Sequence, residues 1–287
     1  MMMINPFHIA TRKTPTSENA RHARRASARR KKSISFAILI ATIFFLFLPL
    51  LVVIVDSFNE AKSGSFTRFS LDWYRKLFFE SDDLWHALLN SFIVALSSAA
   101  VSTLLGTLAA MGTSWHKFRG RGYINVVSFL PMVLPEVILG ISMLIFFSSL
   151  KIQLGLFTIF VAHTTFCLPF VFLMVLARLD EFDFSTMEAA YDLGATEFQT
   201  ITKVVIPSLM PGIAAGFLMS VTLSLEDFVI TFFVSGPGST TLPLYVYSMI
   251  RFGVSPVINA LSFIMILFTM FFAFLGKNFL KAFAAAK

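Results

Sequence analysis

The sequence predicts an all-α integral membrane protein with six transmembrane helices, and three observations carry that class. The 287 residues are 56% hydrophobic and only 14% charged, with 35 Phe, whereas a soluble domain carries about 25% charge. Mean hydropathy is +0.78. Six apolar runs, at about 34–55, 87–113, 123–149, 155–177, 209–234 and 256–276, each reach the roughly 20 residues that cross a hydrocarbon core. None alternates in polarity as a barrel strand would.

The chain opens on a polar, basic stretch, residues 1–33, holding Arg12, Lys13, Arg21, Arg24, Arg25, Arg29, Arg30, Lys31 and Lys32. It has no apolar period, which predicts a disordered cytoplasmic tail. The net charge of +7 could suit nucleic acid, but a basic flank beside a first span is the ordinary explanation, and no nucleic-acid partner is expected. Met1, Met2 and Met3 leave the start open. The first apolar run is too long and too far from the N-terminus for a cleaved signal peptide. Cys167, the single cysteine, lies inside an apolar run; it allows no internal disulfide and has no metal-site spacing.

Lysine and arginine set the expected orientation. With the N-terminus inside, 17 of the 23 fall on the cytoplasmic side and 6 outside, so the positive-inside rule puts both termini in the cytoplasm. Without the tail the ratio is 8 to 6. The outer segment 56–86 contains Phe69, Leu71, Trp73, Tyr74, Leu77 and Phe78, which suits a short interfacial helix or a plain surface helix. In the third run, Pro131-Met132-Val133-Leu134-Pro135 should break the helix near its middle, just before Glu136.

The longest inner loop, about 178–208, reads STMEAAYDLGATEFQTITKVVIPSLMPG from Ser185. Ser185 and Glu188 have capping-box spacing and predict a helix start. Gly194 predicts its left-handed stop. Thr196 and Gln199 form a second box, and the following helix should end where Pro207 removes a donor. Small Ala189 and Ala190 beside apolar Leu193 and Phe198 make either a docking face or a surface packed against the protein's own helix ends.

The order Glu188-Ala189-Ala190, three residues, Gly194, nine residues, Val204-x-Ile206-Pro207 resembles the EAA loop of binding-protein-dependent ABC importer permeases. Val204 and Ile206 stand where that family usually has isoleucine and leucine. Four further stretches, Ile152–Gly155, Thr165–Phe170, Asp192–Ala195 and Phe252–Pro256, follow in an order similar to the spermidine/putrescine class of these permeases. The likeness covers about residues 35–275 and leaves out the basic tail. It implies the type I permease fold in the bacterial inner membrane, with a loop that inserts into a cytoplasmic ATPase dimer. It also implies a second homologous permease as heterodimer partner and an external substrate-binding protein. The expected division is a tail at 1–33, a permease domain at 34–278 and a cytoplasmic C-terminus at 279–287.

No ATP site is visible. Gly236-Pro237-Gly238-Ser239-Thr240 lacks the lysine of a phosphate loop and is more simply a turn. ATP is therefore expected on a separate subunit, with no cofactor or metal in this chain. No Ser/His/Asp or His/Cys set is apparent, and the five histidines are scattered.

Charges inside spans are expensive and point to function. Glu136, Glu226 and Asp227 lie there, and no Lys or Arg in the six runs neutralises them. Carboxylates beside Phe228, Phe232 and Phe233 suit an organic cation, since ring faces attract ammonium groups within about 6 Å. The polyamine likeness points the same way. Each acid could instead cap a helix end or bond a neighbouring helix. Gly212-Ile213-Ala214-Ala215-Gly216 is a small-xxx-small face suited to close packing. The expected function is uptake of a polyamine through half of an ATP-driven channel. The alternatives are another substrate such as ferric iron, or a proton-coupled secondary carrier.

Overall fold

A computed structural model of the chain describes residues 17–61, 66–115, 118–252 and 256–285, with side chains at 35–61, 66–115, 118–251 and 256–271. Within these, the chain is helical: α1 (Ser17–Ser57), α2 (Asp72–Phe79), α3 (Asp82–Trp115), α4 (Arg121–Val133), α5 (Glu136–Ser149), α6 (Leu156–Asp180), α7 (Ser185–Asp192), α8 (Glu197–Thr200), a π-helical turn (Ile201–Val205), α9 (Ile206–Glu226), α10 (Val229–Val234), α11 (Leu242–Phe252) and α12 (Pro256–Ala285). Among the described residues, β-pairing is limited to one isolated bridge between Asn59 and Phe69.

The six apolar runs fall in order on α1, α3, the α4–α5 pair, α6, α9–α10 and α12. Four helical stretches are long and apolar enough to cross a membrane, and the bent α4–α5 pair gives a fifth. On α12, Pro256–Phe271 is a shorter apolar helix within the described side chains.

The chain divides into two compact units. One joins the residues up to Leu71 with those from Asn259 onward. In it, Phe58 stacks on Phe69 and meets Phe263 edge-on, both at 5.4 Å between ring centroids. Helix α1 begins at Ser17, so residues 17–33 are helical where the sequence predicts an unstructured tail. The Ala, Arg and Lys there are strong helix formers, and extending a helix already nucleated by the span adds one hydrogen bond per residue. Residues 1–16 of that tail lie outside the described residues, as do Gly253-Val254-Ser255. Of the expected C-terminal segment 279–287, the backbone through Ala285 continues α12.

The second unit, Asp72–Ile258, is organised around α6. Helix α3 turns a face of small residues inward: Ala87, Ser91, Ala95, Ser98, Ala99, Ser102 and Ala110 are all buried. Helix α9 approaches from another side. A Cβ added at Gly216 would sit 3.2 Å from the Cα of Val171, and one at Gly212 would sit 2.9 Å from the Met174 carbonyl oxygen. Lipid supplies no hydrophobic drive between helices, so close backbone contact through small residues does the packing. The Gly212–Gly216 face therefore has the packing role its spacing predicts. Two apolar clusters result. Val94, Leu139, Ile159, Phe166 and Ile230 fill one; Val171, Phe172, Leu179, Val205 and Leu209 fill the other. Helix α2 matches the short helix predicted in 56–86: Trp73 and Leu77 are buried and Phe79 is exposed.

Candidate functional site

Two helix breaks build the first site. Leu134 (φ −75°, ψ 138°) and Pro135 (φ −56°, ψ 134°) are extended, because a proline drives the residue before it out of the helical region. The chain bends by 111° between α4 and α5, and Glu136 opens α5. Across from it, α9 stops at Glu226 and Asp227 is extended (φ −66°, ψ 123°) before α10. Asp227 then caps α10. Its Oδ1 accepts from the Ile230 N–H at 3.2 Å, and its Oδ2 accepts from the Thr231 N–H and Oγ1, each at 2.9 Å.

Both breaks end at one cavity of about 300 Å³, lined by Glu136, Glu226, Asp227, Phe166 and Phe228 among others. Three acids that the sequence separates by up to 91 positions (136 to 227) thus meet. They are not equivalent. Glu136 and Glu226 are exposed, whereas Asp227 is buried, with a side chain only 3% accessible. Of the two roles open to Asp227, substrate contact and helix cap, the geometry fills the second. An aromatic wall adjoins the acids: Phe228 lies 4.5 Å from Tyr247 and 5.7 Å from Phe232 between centroids. Phe232 and Tyr247 also line a separate cavity of about 600 Å³ with Asp83, His86 and Arg251.

Sequence reasoning missed His163, grouped among the scattered histidines. It is 1% accessible. Its Nε2 lies 3.1 Å from Asp227 Oδ2, and its Nδ1 lies 2.7 Å from Ser224 Oγ. A titratable ring inside an apolar run was the available signal. The separation of 64 residues from Asp227 hid the pairing. Among the described residues, no group of three His, Cys, Asp or Glu side chains stands where it could hold a metal ion.

The second site is the loop. Helix α7 starts at Ser185 as the spacing predicts, but the expected Ser185–Glu188 capping box does not form. Ser185 is the first helical residue. Asp183, two residues earlier, accepts its N–H at 2.9 Å, and that bond holds the Asp183 carboxyl below the usual aspartate range. Gly194 adopts φ +84°. Around it, the Ala195 N–H donates to the Ala190 carbonyl (3.0 Å) and the Gly194 N–H to that of Tyr191 (2.8 Å), a Schellman stop. The Thr196–Gln199 box is present in both directions. The second helix does not end at Pro207. Through the π-helical turn it runs on into α9, in one apolar stretch Glu197–Glu226. Pro207 sits in the first turn of α9, where a missing N–H is tolerated, and Ser208 Oγ donates to the Val204 carbonyl at 2.7 Å.

The result is an elbow rigidly continuous with a long apolar helix. Its face is not covered by the protein's own helix ends: α7 has no buried residue. Leu193 is 89% and Phe198 77% accessible. Glu188, Ala189 and Gly194 are exposed, and Ala190 and Ile206 are half-buried.

Comparison with known proteins agrees with this architecture. The family model for the binding-protein-dependent transport system inner membrane component matches residues 102–286. The spermidine/putrescine transport system permease protein PotC of Escherichia coli (strain K12) is 40% identical over 227 residues, 79% of this chain and 86% of that protein. The putrescine transport system permease protein PotI of the same strain is 40% identical over 233 residues, 78% of this chain and 83% of its own. Among solved structures, a bacterial ABC transporter involved in import of the acidic polysaccharide alginate superposes with a TM-score of 0.70 at 17% identity, covering 88% of this chain and 98% of that one. The MetNI methionine ABC transporter, inward facing, gives 0.57 at 18% identity, covering 72% and 97%. These two likenesses concern the fold.

Proposed function

The chain belongs to the family of binding-protein-dependent transport system inner membrane components, permease subunits of ABC importers that are not themselves enzymes, and from that premise we propose that it imports a polyamine. The observation that carries the substrate class is the cavity in which Glu136 and Glu226 stand exposed beside Phe166 and Phe228. A polyamine offers separated ammonium groups joined by apolar links. Exposed carboxylates pair with the first and ring faces with both. An anionic substrate would meet only repulsion at that surface. The permeases PotC and PotI, which share 40% of matched positions, support the same class. Their names cover both spermidine and putrescine, and this site has no feature that prefers one.

The acids are exposed on a single chain although they lie at membrane depth, where a bare charge is costly. A second, homologous permease covers that face, and the substrate path runs between the two halves. Both termini and the elbow lie in the cytoplasm, in keeping with the excess of basic residues on that side. ATP is bound and hydrolysed on a separate ATPase pair, and this chain supplies no cofactor site.

The elbow, with Glu188, Ala189, Ala190 and Gly194 on its surface and Ile206 and Pro207 at its root, docks on that ATPase. Because α8, the π-helical turn and α9 form one continuous stretch, closure of the ATPases moves α9, and with it Glu226. The cavity is thereby presented to alternate sides. The test is ATP-dependent uptake of labelled spermidine by the complete complex in proteoliposomes, with competing amines and anions. Uptake should need ATP, the ATPase and the binding protein. If the purified chain moved amine alone, or if uptake collapsed with the proton gradient while ATP remained, the proposal would be wrong.

A further inference from the structure

Behind the cavity runs a buried polar chain that no part of the transport reading uses. Ser98 on α3 lies 3.3 Å from Ser224 Oγ on α9. Ser224 reaches His163 Nδ1 on α6 at 2.7 Å. His163 Nε2 reaches Asp227 Oδ2 at 3.1 Å and Thr231 Oγ1, on α10, at 2.9 Å. All five side chains are buried. A neutral imidazole has one donor and one acceptor, and the chain fixes which is which. Nε2 faces a carboxylate, which can only accept, so Nε2 carries the proton and Nδ1 accepts from Ser224; Ser98 Oγ stands 3.3 Å from both the Ser224 hydroxyl and the Ala95 carbonyl. Asp227 therefore accepts four hydrogen bonds: one from His163, two from Thr231 and one from Ile230. Three of them fall on Oδ2 and one on Oδ1.

A half-satisfied network at this depth would be worse than an apolar one, so its complete pairing needs a reason. The chain clamps the unwound step at Asp227–Phe228 to α6 and, through Ser98, to α3. The residue before the clamp is Glu226 and the residue after it is Phe228, the two groups on this side of the cavity that face the substrate. Resting on the polyamine reading above, we infer that His163 is a positioning residue for the amine site: it withholds Asp227 from the substrate and fixes Glu226 and Phe228, so that this subunit offers the amine two carboxylates, Glu136 and Glu226. Substrate affinity, rather than turnover, is what the clamp controls.

The test uses the complete reconstituted complex and spermidine, with KM and Vmax for uptake and the yield of assembled complex measured for each variant. His163→Ala removes the donor to Asp227 and should raise KM about tenfold as Glu226 and Phe228 lose their fixed geometry, a change of about 1.4 kcal/mol, with Vmax held within about twofold. His163→Gln places an amide N–H near the Nε2 position and should bring KM back to within about threefold of the parent. Thr231→Val keeps the backbone donor and loses the hydroxyl, and should raise KM by a smaller factor, about threefold. An unchanged KM in His163→Ala, a loss confined to Vmax, or a Gln variant as impaired as the Ala variant would each overturn the inference. If His163→Ala does not assemble, an unchanged KM in Thr231→Val overturns it. Failure of the underlying reading looks different: the parent complex takes up no amine, or Glu226→Gln leaves KM where it was.

Discussion

Gly194→Ala isolates the elbow from everything else in the molecule. The backbone there has φ +84°, and a Cβ built on it meets nothing within 4 Å. Steric clash with neighbours is therefore absent, and the whole effect is the intrinsic penalty of a left-handed L-residue, about 1–2 kcal/mol. The freed elbow relaxes away from the turn held by the Ala195→Ala190 and Gly194→Tyr191 bonds, and docking must restore it. A conformational penalty of that size appears directly in the apparent dissociation constant, a weakening of about 5- to 30-fold. Asparagine tolerates the left-handed region, so Gly194→Asn should stay within about threefold of the parent. Gly194→Val should be the weakest. The assay is titration of the detergent-solubilised permease pair with the ATPase subunit. Equal affinity for parent and Gly194→Ala, or an Asn variant as weak as Val, would refute the reasoning from backbone conformation.

Three other expectations follow from the same geometry. Glu136→Gln and Glu226→Gln should each raise the KM for polyamine uptake by about 5- to 30-fold, near 1–2 kcal/mol once the exposure of both acids is discounted, while the complex still assembles; unchanged uptake kinetics in both would remove them from the path. Asp183 titrates below its ordinary range in the folded elbow, so its cap on Ser185 contributes fully above the unfolded aspartate value of about 3.9 and is lost as pH falls through the lower folded value. Exchange protection of the Ser185 amide should follow that step and should lose it in Asp183→Asn. Gly216→Leu must push several carbons against Val171, whose Cα would lie only 3.2 Å from the first of them, the Cβ, and overpacking of this kind costs about 1–3 kcal/mol; a lowered unfolding temperature of the solubilised protein checks it.

Local rules carried the sequence reading a long way. The proline pair at 131 and 135 was enough to place the break before Glu136, since a proline acts on its own residue and the one before. Gly194 and the Thr196–Gln199 box were legible for the same reason. The Ser185–Glu188 box failed because Asp183, two residues earlier, competed for the Ser185 N–H, and spacing alone does not rank rival caps. Pro207 did not stop its helix because a π-helical turn ahead of it put the proline in a first turn, where no donor is needed.

The membrane class, the order of the apolar runs, the elbow and the identity of the intramembrane acids were all legible along the chain. Each of these depends on neighbours within about four residues or on composition. It took the packed helices to show that Glu136, Glu226 and Asp227 line one cavity, and that Asp227 is buried there with hydrogen bonds to His163 and Thr231. Those facts join residues on α5, α6, α9 and α10, helices brought close by small side chains such as Gly216 meeting Val171. A contact of that kind has no period along the chain, so it becomes visible only when the helices are packed.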